Sequence, residues 1–136
     1  MASAYLLKIK LLAGEWNIPF LVNQMKGLLI MNKEELYNHA FQLILHAGNA
    51  KSLAMEAIHA AKKGDFAEAE EKMAEADAAF NEAHHVQTDL IHQEAGGEKF
   101  DLPLIMIHAQ DHLMTSLTLK DLAGEIIDMH KLIKKP

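Results

Sequence analysis

The chain has 136 residues, half of them hydrophobic but only 6% aromatic, with a formal charge of −6. That length holds one domain with a modest core, and the acidic balance argues against nucleic acid as a partner, because phosphate binding needs a clustered basic surface. The absence of cysteine excludes disulfides and thiol chemistry and suits a cytoplasmic setting, and no apolar run approaches the roughly 18–20 residues of a membrane span.

Alanine, leucine and methionine dominate the apolar set, and proline is confined to Pro19, Pro103 and Pro136. This profile favours an all-helical protein. Residues 1–30 read differently from the rest, because Ala13-Gly14 and Ile18-Pro19 interrupt any helical pattern. Lys8, Lys10 and Glu15 break the apolar stretch that a signal peptide would need. The expectation is an N-terminal extension over 1–30, translated leader ahead of a start at Met31. Lys26-Gly27 supports it, since these codons can form a purine-rich ribosome-binding site. The alternative is a genuine extra segment packed on a domain spanning 31–136.

From Asn32 the pattern is regular. Asn32 with Glu35 forms a capping-box pair. Leu36, Ala40, Leu43, Ala47, Ala50, Ala54, Ala57 and Ala61 recur at intervals of four and three, and Tyr37, Phe41, Ile44 and Ile58 widen the stripe. The helix ends at Lys62-Lys63-Gly64, with cations at the negative pole and glycine as the stop. Gly48 sits mid-helix, which implies either a close backbone approach or a need for room. A second helix starts at Asp65 with Glu68 three residues on, and runs on the stripe Phe66, Ala69, Met73, Ala76, Phe80, Ala83, Gln87 and Leu90. It ends in the loop Glu94-Ala95-Gly96-Gly97-Glu98.

Pro103 falls in the first turn of a third helix. One apolar stripe there is Leu102, Met106, Ala109, Leu113 and Leu117; a second is Leu104, Ile107, Asp111, Met114, Thr118 and Leu122. A helix apolar on two sides is buried between two neighbours. Three helices with short connections make an antiparallel three-helix bundle, and the unmatched second stripe predicts an oligomer.

This third helix carries the unusual chemistry. His108, Asp111, His112 and Thr115 share a face at offsets of three, four and seven. Asp111 lies within the second stripe, where an unpaired carboxylate is costly to bury. Either it hydrogen-bonds a neighbouring helix or water, or symmetry-related copies share a hard cation such as Mg²⁺ or Ca²⁺. His108 follows Pro103 closely enough for the positive helix pole to favour an anion, and neutral imidazole can carry a phosphoryl group. A histidine hydrogen-bonded in a seam is the bland alternative. On the second helix, the polar intrusion of Gln87 into a core stripe, near His84 and Thr88, points to a buried hydrogen bond.

The block His108-Ala-Gln-Asp-His-Leu-Met-Thr115, read with Asn81-Glu82-Ala83-His84 and Gln87-Thr88, resembles the IIA component of the bacterial sugar phosphotransferase system, lactose/cellobiose class. The resemblance extends over residue 31 to about residue 134, and these blocks lie nearer the cellobiose or chitobiose branch than the lactose branch. It implies a trimer with Asp111 from each subunit binding a divalent cation on the axis. It further implies that His108 accepts a phosphoryl group from HPr and passes it to the IIB component, which serves the membrane IIC component in uptake of a β-linked disaccharide. Gln110 and His112 match positions near that histidine, and His84 and Gln87 are possible supports. Two other classes stand beside it: a metal-dependent hydrolase on His108, Asp111 and His112, whose i, i+4 histidines suit zinc, and a helical assembly module.

Overall fold

A computed structural model describes residues 33–134 and, before them, Pro19 alone. Apart from Pro19, the expected leader over 1–30 lies outside the described residues, as does the cap residue Asn32. Three helices follow in order: α1 (Lys33–Lys63), α2 (Phe66–Ala95) and α3 (Leu104–Ile133). The bundle is all-α. Both α2 and α3 pack chiefly against α1 and meet each other over a smaller contact.

α1 can be central because its inner face is nearly all alanine. Leu36, Ala40, Leu43, Ala47, Ala50, Ala54, Ala57 and Ala61 are all buried, joined by Ala60. Small side chains let two neighbours approach one axis closely while helix propensity stays high. Tyr37 and Phe41, expected to widen this stripe, instead lie exposed at 36% and 58%; only Ile44 and Ile58 pack against the core. Gly48 brings no backbone close, for no atom beyond its own helix lies within 4 Å of where its Cβ would stand.

The joint between α1 and α2 is short. Gly64 adopts a left-handed φ of +93°, which favours glycine, and its N–H closes the helix end on Ala61 O at 3.0 Å. Asp65 then caps α2, its Oδ1 accepting from Glu68 N at 3.0 Å. Lys134 Nζ reaches back to the last turn of α1, donating to Lys62 O at 3.1 Å.

α3 starts at Leu104, after Asp101-Leu102-Pro103 rather than within it. Pro103 is its N-cap rather than a first-turn residue, and no side chain caps that end. Met106, Ala109, Leu113, Ser116, Ala123 and Ile127 are buried. Two positions of the expected inner stripe therefore move. Leu102 precedes the helix and is 54% exposed, and Ser116 replaces Leu117 as the buried residue. Ser116 is tolerated in the core because its Oγ donates to Ala47 O at 3.1 Å, so no buried hydroxyl goes unpaired. The second stripe is uncovered in the protomer: Leu104, Ile107, Met114 and Leu122 are each more than half exposed.

Candidate phosphoryl-transfer site

The polar cluster of α3 forms on one face. His108, Asp111 and Thr115 are exposed and His112 is half-buried toward the bundle. The rings of His108 and His112 meet edge to face, 4.6 Å between centroids and 78° between planes, the geometry that i, i+4 spacing permits. Burial first, then the nearby Lys51 ammonium and His108, hold the His112 imidazole below the ordinary histidine range, with Asp111 pulling the other way. His112 Nδ1 is buried and has no hydrogen-bond partner among the described residues. A neutral ring with its proton on Nε2 leaves only a lone pair at that atom, which costs less than a stranded N–H. His108 thus packs against an imidazole whose charged form burial disfavours, and keeps its own ring open to solvent.

Thr115 closes the cluster. Its Oγ1 lies 2.7 Å from Asp111 O and 3.2 Å from His112 O, so its proton is donated back into its own helix. The same oxygen accepts from Lys51 Nζ of α1 at 2.7 Å. Sequence reading missed Lys51. It stands 64 residues from Thr115 in an alanine-rich helix, and no local pattern in that helix marks it.

Among the described residues the Asp111 carboxylate has no ion pair or side-chain hydrogen bond. It sits beside Leu104, Ile107 and His108 around a shallow hollow on the outer face of α3.

The second block forms a separate seam. Gln87 Nε2 donates to Gln110 Oε1 between α2 and α3, so the polar intrusion of Gln87 is explained by a cross-helix bond. Gln110 is two positions from His108, and residues so spaced point to different sides of a helix. The structure therefore joins Gln110 to Gln87, and His108 to His112. His84 stacks on Phe80 at 5.8 Å between ring centroids and its carbonyl accepts from Thr88 Oγ1 at 2.8 Å. Among the described residues no three His, Asp or Glu side chains are grouped to hold an ion within one protomer, so the hydrolase alternative lacks a ligand set there. No described helix is long and apolar enough to cross a membrane.

Residues 38–131 match the lactose/cellobiose-specific IIA subunit family of the PTS system. The chain belongs to that family. Among IIA relatives, the lichenan-specific phosphotransferase enzyme IIA component of Bacillus subtilis is 54% identical over 100 residues, covering 74% of this chain and 91% of the relative. The crystal structure of the PTS cellobiose-specific enzyme IIA from Bacillus anthracis superposes with a TM-score of 0.72 at 52% identity, covering 76% of this chain and 94% of that one. The IIA(chitobiose) in the solution structure of its complex with HPr, from Escherichia coli, gives a TM-score of 0.65 at 44% identity, with 74% and 97% covered. The His108–Thr115 face and the Gln87–Gln110 seam both fall inside the IIA match.

Proposed function

We propose that this IIA protein is a cytoplasmic phosphocarrier in which His108 receives a phosphoryl group from phosphorylated HPr and passes it to a cysteine of a IIB component, for uptake of a β-linked disaccharide through the IIC component. The observation that carries this reading is an exposed histidine, its ring packed edge to face on a second histidine, inside the segment shared with the IIA family.

The chemistry needs little beyond that. His108 attacks as a neutral imidazole, using a ring nitrogen lone pair, and the donor's phosphorus–nitrogen bond breaks as the new one forms. The donor ring leaves as neutral imidazole because its other nitrogen holds a proton, and His108 ends as phosphoimidazole with its own far nitrogen protonated. No net proton moves, so no general base is required, and reversibility follows from the similar bonds made and broken. Transfer onward exchanges the nitrogen–phosphorus bond for a sulfur–phosphorus bond on the partner's thiolate. The apolar surface of Leu104 and Ile107 beside His108 suits partners that dock in turn. His112 supports the site as the packing partner of the acceptor ring; Gln110 and Gln87 act at one remove, their bond tying α3 to α2 on another side of the helix, and His84 steadies the same seam through its stack on Phe80.

The uncovered stripe of α3 suits a homotrimer about a threefold axis. Asp111 fits a shared cation: among the described residues its carboxylate is unpaired and is flanked by apolar side chains, and three such oxygen donors suit Mg²⁺ or Ca²⁺. The ion would neutralise the converging carboxylates and hold the subunits together; it takes no part in the transfer.

The test is phosphoryl transfer from phosphoenolpyruvate through Enzyme I and HPr to the wild type, His108→Ala and His92→Ala. Label on the wild type and His92→Ala, absent from His108→Ala, is the expected result. Label persisting on His108→Ala would assign the chemistry to another histidine.

A further inference from the structure

A phosphoryl group on His108 brings roughly −1.5 to −2 charges to a chain with no arginine, whose 13 basic residues are all lysines. Three of the lysines that bridge between helices end on carboxylates: Lys72 on Glu56 and Glu75, Lys120 on Asp77 and Asp121, Lys131 on Glu70 and Asp128. Lys120 also stands twelve residues along α3 from His108, about 18 Å at 1.5 Å per residue, and Lys131 is farther still.

Lys51 differs in both respects. It is half-buried on α1, and its Nζ ends on a neutral oxygen, Thr115 Oγ1, at 2.7 Å. The Thr115 proton is committed to the backbone of its own helix, which turns the hydroxyl lone pairs toward the ammonium. None of the described ion pairs involves Lys51. Helical side chains lean toward the N-terminus, so Thr115 holds this cation over the turn that carries Asp111 and His112.

We propose that Lys51 is a positioning residue for phosphoryl transfer: anchored on Thr115 Oγ1, it supplies an uncompensated positive charge to the histidine face of α3 and fixes α1 against that face. The proposal rests on His108 being the acceptor. Seven residues separate Thr115 from His108, about 10 Å along the helix, so the ammonium does not touch the phosphoryl group in this arrangement. It acts through its field, over a distance close to the Debye length of about 10 Å at 0.1 M salt. A charge acting at that range leaves a salt-dependent signature, whereas a purely mechanical tie does not.

The experiment compares initial rates of transfer from phosphorylated HPr to the full-length wild type, Lys51→Met, Lys51→Gln and Lys51→Arg at low and high ionic strength. His108→Ala is the control. Lys51→Gln removes the charge and keeps an N–H donor on a side chain one atom shorter; read against Lys51→Arg, which keeps the charge, it decides the matter even if Lys51→Met does not fold. The expected result is a rate about two- to threefold lower for Lys51→Gln at low salt, the scale of one charge acting on about two others across about 10 Å of water. That deficit should close at high salt, and Lys51→Arg should run near the wild-type rate at both. A wild-type rate for Lys51→Gln at low salt overturns the proposal, as does an equal, salt-independent loss in all three Lys51 variants. Label on His108→Ala would instead overturn the reading of His108, which separates the two failures.

Discussion

Leu113→Ala and Met114→Ala change adjacent residues about 100° apart around α3, one buried and one exposed, and they separate the protomer's own core from the face left open for assembly. Leu113 is 1% exposed and packs in one cluster with Leu36, Leu43, Ala83, Leu90, Met106 and Ala109. Truncating a buried leucine costs about 2.7–5.0 kcal/mol, the transfer term plus a cavity term that grows when neighbours cannot collapse into the hole. Two of those neighbours are alanines on rigid helices with no side chain to swing inward, so we expect about 3–4 kcal/mol. For a domain of this size that lowers the melting temperature by about 12–20 °C. Met114 is 52% exposed, and its truncation should cost the isolated protomer less than about 0.5 kcal/mol. Urea unfolding followed by far-ultraviolet circular dichroism, at two protein concentrations tenfold apart, distinguishes the terms. Leu113→Ala should shift the midpoint at both concentrations. Met114→Ala should act mainly through the concentration dependence, because assembly stabilises the folded chain by mass action. A loss below 1 kcal/mol for Leu113→Ala, or equal concentration-independent losses for both, would refute the assignment of the two faces.

Chelation with EDTA should lower the melting temperature of the wild type and leave Asp111→Leu unmoved; an EDTA-insensitive wild type argues against a shared ion. Asp65→Ala removes the side-chain acceptor for Glu68 N and should cost about 1 kcal/mol, read from denaturant midpoints. Lys120 is 17% exposed at its side chain, and its hydrogen bond to Asp77, opposed by burial and aided by the charges of Asp77 and Asp121, raises its pKa above the usual 10.5. Its contribution is therefore fully present below about pH 10 and is lost as pH rises through the raised value. Lys120→Met should flatten the alkaline limb of a stability–pH curve, and an unchanged limb would contradict the pairing.

Much of the fold was legible because the alanine periodicity of α1 has one reading. Every position of its expected inner stripe from Leu36 to Ala61 is buried, since a helix with small residues on one side gains only by turning that side inward. The aromatic residues beside the stripe misled. Tyr37 and Phe41 are apolar enough to suggest core, but two neighbouring helices resting on an alanine face leave them no cover inside the protomer. Ser116 was missed for a related reason: a serine in a core seam is acceptable only if a specific carbonyl is waiting, and Ala47 O is a tertiary fact. At the site, the His108, Asp111, His112 and Thr115 face followed from helix geometry alone. Lys51 did not, because a cross-helix bond between residues 64 apart leaves no trace in either local pattern. The Gln87–Gln110 bond was half legible: the polar break in the α2 stripe announced a partner without saying which.

With only Gly64 and Asp65 between Lys63 and Phe66, α1 and α2 can close into a hairpin as soon as Ala95 leaves the ribosome, since contacts near in sequence form fastest. The hairpin alone leaves half of the alanine seam wet, and a seam of small side chains buries too little surface by itself to hold two helices in place. Completion waits for α3, the last of the three described helices to be made and the one that bears His108. A chain cut short before α3 therefore lacks both the proposed acceptor and a finished core, so unfinished molecules offer no well-formed surface on which to hold donor or acceptor proteins in unproductive complexes.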